Sequence, residues 1–213
     1  MSGLSFRDLA PIDRYKLLCG VVVPRPIALV TTVDPDGKIN AAPFSFFNAV
    51  SSVPPVVVLG ISPGSSGGDG WKDTERNIRE TGEFVVNLVD EAIAERMNVC
   101  DVPFPTGVNE MEMAELHPVP SAEVRPPRIA ESPVSFECKR ITGLSLGPRS
   151  TLEIGRVIHI HIRDDLVDPE KFYVQTDKMR LIGRMHGRGW YARTSDLFLM
   201  DRMSFAEWKD GQR

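Results

Sequence analysis

No apolar run in this chain approaches the roughly 20 residues that cross a bilayer as a helix, and MSGLSFRDLAPIDRYK at the N-terminus lacks a basic and then apolar targeting pattern. The expectation is a cytoplasmic protein with no membrane association. Cysteine is scarce: Cys19, Cys100 and Cys138 are odd in number, scattered, and form no C-x-x-C pair. That argues against a disulfide framework and against a zinc ribbon, and each thiol reads as buried and reduced. Excess positive charge is also missing, since 25 Lys and Arg stand against 29 Asp and Glu for a net charge of −4. An extended nucleic-acid surface is therefore not expected. No G-x-G-x-x-G follows a predicted strand, no GxxxxGK[ST] loop is present, and there is no G-x-S-x-G elbow. Rossmann dinucleotide binding, P-loop phosphate binding and covalent hydrolysis each lose their usual signal.

What remains is an ordinary globular composition, 42% hydrophobic and 25% charged over 213 residues. That length suits one domain, taken as 1–213, with enough chain to bury a core. The organising stretch is PRPIALVTTVDPDGKINAAPFSFFNAVSSVPPVVVLGI, residues 24–61. Ile27 to Val33 has strand length and composition, and Asp34-Pro35-Asp36-Gly37 supplies a turn in which Pro35 sets φ and Gly37 can take φ > 0. The returning arm, Lys38 to Val50, carries Asn40, Ser45 and Asn48 among small and aromatic residues, with Pro43 removing a backbone donor. Small residues admit a flat ligand to the backbone, and amides and hydroxyls can bond its edge. Asn40 to Asn48 is therefore read as the wall of a binding cleft.

Further along, Val56–Ile61, Glu83–Val89, Val134–Arg140 and Thr151–Ile162 have strand character. Helices are expected near Asp13–Leu18, from Asp73 or Thr74 to Thr81 before Gly82, after Asp90 to about Asn98, and briefly over Glu110–Leu116. The stretch SPGSSGGDG reads as a flexible loop, and the proline-rich 101–133 is long for a loop, so it should wrap the surface or contribute to a partner or substrate contact. Many strands with few helices predict a mainly β, closed or partly closed barrel with helices at its edge.

Three groups carry chemistry. Lys72, Thr74 and Asn77 open a helix, where free N–H groups and the positive dipole end favour a phosphate; a plain helix cap is the alternative. His159 and His161 share one strand face, but no third ligand is placed by pattern, and outward polar residues explain them without a metal. Arg184, His186, Arg188 and Arg193 surround Gly183, Gly187, Gly189, Trp190 and Tyr191, a set that suits a phosphate or an electron-rich ring, although a solvated basic turn accounts for the charge as well.

The sequence resembles the flavin-reductase-like family, the FMN-binding split barrels found with flavoprotein oxygenases. The resemblance rests on PRPIALVTT, on G-x-x-N-A-A-P-F-S-F-F-N, on KDTERNIRETGEFVVN and on GRMHGRGWYART, in that order. It implies a six-stranded, Greek-key-like split β-barrel with peripheral α-helices, and a homodimer with flavin near the subunit interface. It also implies FMN as cofactor, with FAD as the larger alternative, and NAD(P)H as co-substrate. Thr31, Thr32, Asn40, Ala41, Ala42, Pro43, Phe44, Ser45 and Phe46 would border the ring and ribityl chain; Lys72, Thr74 and Asn77 would receive the phosphate; His186 and Tyr191 would close the site. The implied activity is hydride transfer from nicotinamide to flavin, with no catalytic side chain and with a flavin-dependent oxygenase as a partner. A flavin carrier or sensor without turnover is the alternative, because fold does not fix function.

Overall fold

The computed structural model describes residues 2–63 and 70–211. In chain order come helix α1 (Pro11–Val21), strands β1 (Arg25–Pro26), β2 (Ala28–Val33), β3 (Ile39–Phe44), β4 (Phe47–Ser52) and β5 (Pro55–Ile61), helix α2 (Asp73–Thr81), strand β6 (Glu83–Leu88), and helices α3 (Ala94–Val99) and α4 (Glu110–Met113). There follow β7 (Pro118–Val119), β8 (Arg128–Ile129), β9 (Val134–Gly147), β10 (Ser150–Ile162), β11 (Val167–Asp168), β12 (Tyr173–Val174), α5 (Thr176–Met179), β13 (Ile182–Arg184), β14 (Tyr191–Arg193) and α6 (Phe205–Asp210). Most of the loop expected at 62–70 lies outside the described residues.

Seven strands make one antiparallel sheet in the order β3-β2-β6-β9-β10-β5-β4. The count corrects the six strands expected, and the sheet does not close, because β3 and β4 end the order without pairing to each other. Yet only Ser45 and Phe46 join those two edge strands, so the sheet curls until its edges are close. At that corner the Gly60 N–H donates to the Phe46 carbonyl at 2.7 Å. A second, three-stranded sheet, β1-β13-β14, stands beside it.

The β2–β3 turn follows from its sequence. Gly37 has φ of 86°, its N–H donates to the Asp34 carbonyl at 3.0 Å, and the Asp34 carboxylate accepts from the Lys38 N–H at 2.8 Å. β2 is buried on both faces: Ala28 and Val30 point into the curled sheet with Phe44, Phe84 and Ile78, whereas Leu29 packs outward against Ile93, Met97 and Met111. Its only polar residues, Thr31 and Thr32, are buried with their hydroxyls hydrogen-bonded, as burial on both faces requires. Gly155 of β10 sits where a Cβ would come 2.3 Å from the ring of Phe84, so that aromatic side chain fills space only a glycine leaves.

Helix α2 closes one end of the curl with Ile78 and stops at Gly82, whose φ of 72° and N–H to the Ile78 carbonyl form the left-handed cap its sequence predicts. The proline-rich segment lies across the outer sheet face. The Thr31 hydroxyl donates to the Pro127 carbonyl, the Ile129 N–H to Asn87 Oδ1, and the N–H groups of Ala122 and Glu123 to the Glu137 carboxylate. Burial alone would raise Glu137, but these N–H donors and His161 outweigh it and hold the carboxyl below the usual range.

Candidate functional site

β3 is an edge strand, and its free edge is the floor of a cleft. The Ala41 N–H points away from β2 and donates to Glu110 Oε2 at 2.9 Å. Two residues on, the same direction belongs to Pro43, which has no N–H to leave unpaired. Two adjoining cavities of about 170 Å³ each follow this edge and share Asp101. One is walled by Tyr15, Phe44, Ser45, Arg184 and Tyr191. The other is walled by Asn40, Ala42, Lys72, Thr74, Asp101 and Glu110.

The first turn of α2 is fixed to the strands by a buried polar cluster. Asn40 Nδ2 donates to Thr74 Oγ1 at 2.9 Å and lies 3.4 Å from Thr32 Oγ1, which also accepts from Asn77 Nδ2 at 3.0 Å. All four side chains are buried. Register makes the cluster possible, since Thr32 and Asn40 are cross-strand partners on β2 and β3. Lys72 occupies the N-cap position without a side-chain cap, and its ammonium lies 5.2 Å from the centre of the Phe44 ring. At the other end of the cleft the Arg184 guanidinium stacks on Tyr191, 4.8 Å from the ring centre, and donates to the carbonyls of Trp190 and Gly187.

The electrostatics are mixed. Lys72 and the start of α2 favour an anion, but Asp73, Asp101 and Glu110 line the same cavity. Asp73 is paired with Arg76 at 2.6 Å. Burial raises the Glu110 carboxyl above the ordinary glutamate range, against the opposing hydrogen bond from Ala41. Burial, with Glu110 nearby, pushes the Cys100 thiol up to about 12, so it is inert as a nucleophile at neutral pH.

Thr32, Asn40, Thr74 and Asn77 are thus brought together, and Ala42, Pro43, Phe44, Ser45, Lys72 and Tyr191 line the adjoining cavities. Other expected residues point elsewhere. Thr31 lies on the opposite face of β2, held by Pro127 and Asn87, because successive strand residues alternate faces. The Ala41 side chain packs into the outer core and offers the cleft only its backbone. The wall read as continuous from Asn40 to Asn48 breaks at Ser45–Phe46, so Phe46 packs over Gly60 and Asn48 joins β4 at the far edge. His186 is exposed on the β13–β14 tip, stacked on Trp190, and lines a neighbouring groove. His161 is paired with Glu137, and no group of three or more His, Cys, Asp or Glu among the described residues is placed to hold a metal. Sequence reasoning missed Tyr15, Asp101 and Glu110; the only local signal was Asn109, which caps α4 and so orients Glu110.

Comparison with known proteins adds a decisive observation: residues 21–182 match the model of the flavin reductase like domain. The chain belongs to that family. Among solved structures, this flavin reductase-like protein is similar to 2-nitrobenzoate 2-nitroreductase NbaA of Pseudomonas fluorescens, with 35% identity, a TM-score of 0.87, and 96% and 98% of the two chains covered. It is also similar to nitrilotriacetate monooxygenase component B of Bacillus cereus, with 32% identity, a TM-score of 0.88, and coverage of 94% and 98%. A Shewanella frigidimarina protein with a split barrel domain superposes with a TM-score of 0.79 at 18% identity, over 94% and 100% of the two chains, a likeness of fold. No helix among the described residues is long and apolar enough to cross a membrane.

Proposed function

We propose that this protein is an NAD(P)H-dependent flavin reductase that binds FMN along the free edge of β3 and acts as a homodimer. The observation that carries the reading is the pairing of a small-residue strand edge with a fixed helix start: Ala42, Pro43 and Ser45 beside Lys72 and Thr74. The residues fit the group. The flat floor at Ala42 and Pro43 admits a ring system close to the backbone, and Lys72 can meet a phosphate as a cation. Asn40, Thr32 and Asn77 hold the first turn of α2 in place, so the phosphate end is preorganised and little ordering is needed on binding. Tyr191 and Arg184 wall the other end.

Once bound, flavin would supply the redox chemistry, with NAD(P)H as the donor of reducing equivalents. The side chains then bind and orient, and none serves as nucleophile. The likeness to a monooxygenase component supports a flavin-dependent oxygenase as recipient, and the likeness to a nitroreductase supports direct reduction of an organic acceptor.

The test is the visible spectrum of the purified protein with FMN, before and after anaerobic NADH or NADPH. Perturbed flavin bands that bleach faster than free FMN are expected. Bound flavin that stays oxidised with both donors refutes the reductase activity and leaves a carrier. Absence of flavin binding overturns the reading altogether.

A further inference from the structure

The chain after β14 carries an apolar run that nothing in its own copy covers. Phe198, Leu199 and Met200 are 83, 88 and 80% exposed, Leu197 is 60% exposed, and helix α6 beyond them buries no residue. A contiguous apolar stretch of this kind marks a contact surface. An unfilled counterpart lies elsewhere on the molecule. The outer face of α1 and the β13–β14 tip enclose an open groove of about 840 Å³, with Ile12, Tyr15 and Cys19 on its α1 side.

We propose that Leu197–Met200 of one copy fill the α1 groove of a second copy, in a reciprocal exchange of C-terminal arms. Charge supports the match. Asp196 and Asp201 bracket the four apolar residues, while Lys16 and Arg188 line the groove. Asp196, Asp201 and Arg188 have no ion-pair partner among the described residues, and Lys16 has only the exposed Asp13 at 2.9 Å. Direction favours a second copy over the arm's own groove. β14 runs from Tyr191, opposite Arg184, to Arg193, opposite Ile182, and Thr194 is then fixed to the Leu181 carbonyl through its N–H and hydroxyl. The arm therefore leaves from the end of the hairpin opposite the 185–190 tip that lines the groove. A two-fold arrangement uses each contact twice, which suits a short arm with modest area. Tyr15 belongs to both the groove and the β3 cleft, so the arm of one copy would form a wall beside the site of the other. Exposed apolar surface and complementary charge make this contact, and it needs no flavin in the cleft.

The experiment mixes two single variants of the full chain, Lys16→Cys and Asp201→Cys, and treats them with a short bismaleimide, with the unsubstituted chain as control. A covalent dimer above the control is expected in the mixture. It should fall at least tenfold when the Asp201→Cys chain also carries Phe198→Asp and Met200→Asp, exposed changes whose effect on folding is checked by an unchanged thermal transition. A mixture giving no more dimer than the control overturns the exchange. So does a Lys16→Cys/Asp201→Cys double variant that closes only within one chain, which places the arm in its own groove. Equal cross-linking with and without the two aspartates removes the apolar contact as its basis.

Discussion

Replacing Lys72 with alanine isolates the phosphate end of the cleft. The ammonium is half-buried at the start of α2, and no carboxylate among the described residues is paired with it. A hydrogen bond to a charged group contributes about 1.5–3 kcal/mol, which converts to roughly a 10- to 150-fold weakening of FMN binding. Riboflavin lacks the phosphate, so its affinity should hardly change. The substitution also removes the ammonium from the face of Phe44, a contact of about 0.5–1 kcal/mol. That loss acts on both ligands alike and is the smaller effect. Titration of each flavin by fluorescence quenching at two salt concentrations measures the difference. FMN, and not riboflavin, should also weaken with salt in the unsubstituted protein. Unchanged FMN affinity in Lys72→Ala, or equal loss for both flavins, would refute the placement of the phosphate at α2.

The carboxylate facing the same cavity should act in the opposite sense. Burial raises Glu110 in the folded chain, so its contribution to stability is full below the ordinary glutamate range and is lost as pH rises through the raised value. Glu110→Gln keeps an acceptor for the Ala41 N–H and removes the charge; it should bind FMN more tightly at pH 7 and show a flatter dependence of Tm on pH above about 4. Identical pH profiles for the two proteins would remove Glu110 from the account. In the core, Gly155→Ala forces a methyl against Phe84 and should cost about 3 kcal/mol in urea unfolding. A change within about 0.5 kcal/mol would mean that the ring can move aside.

The hairpin at Asp34–Gly37, the stop of α2 at Gly82, the strand at β2 and the missing backbone donor at position 43 were all legible in sequence. Each depends on a residue's own backbone limits or on the period of its neighbours. The same holds for the composition of the cleft floor, since Ala42, Pro43 and Ser45 are small or lack a donor wherever they lie. The strand after Arg140 was not legible, because β9 runs on to Gly147 only through its pairing with β10 around the Arg149 turn, at a φ of 60°. Nor was the break at Ser45–Phe46, where a local run of strand formers is divided between two edges of one curled sheet.

Within the site, sequence alone determined which residue types were available: an amide, hydroxyls, one lysine and a helix start. Tertiary structure decided which of them meet. Thr31 and Thr32 are neighbours with identical propensity, yet alternation about β2 sends one to Pro127 and the other to Asn77. Glu110 and Tyr15 enter the cleft from segments distant in the chain, through the packing of α4 and α1 against the rest of the fold. Local chemistry is written in the order of residues, but the meeting of distant side chains is set by register and packing, to which no short stretch of sequence is sensitive.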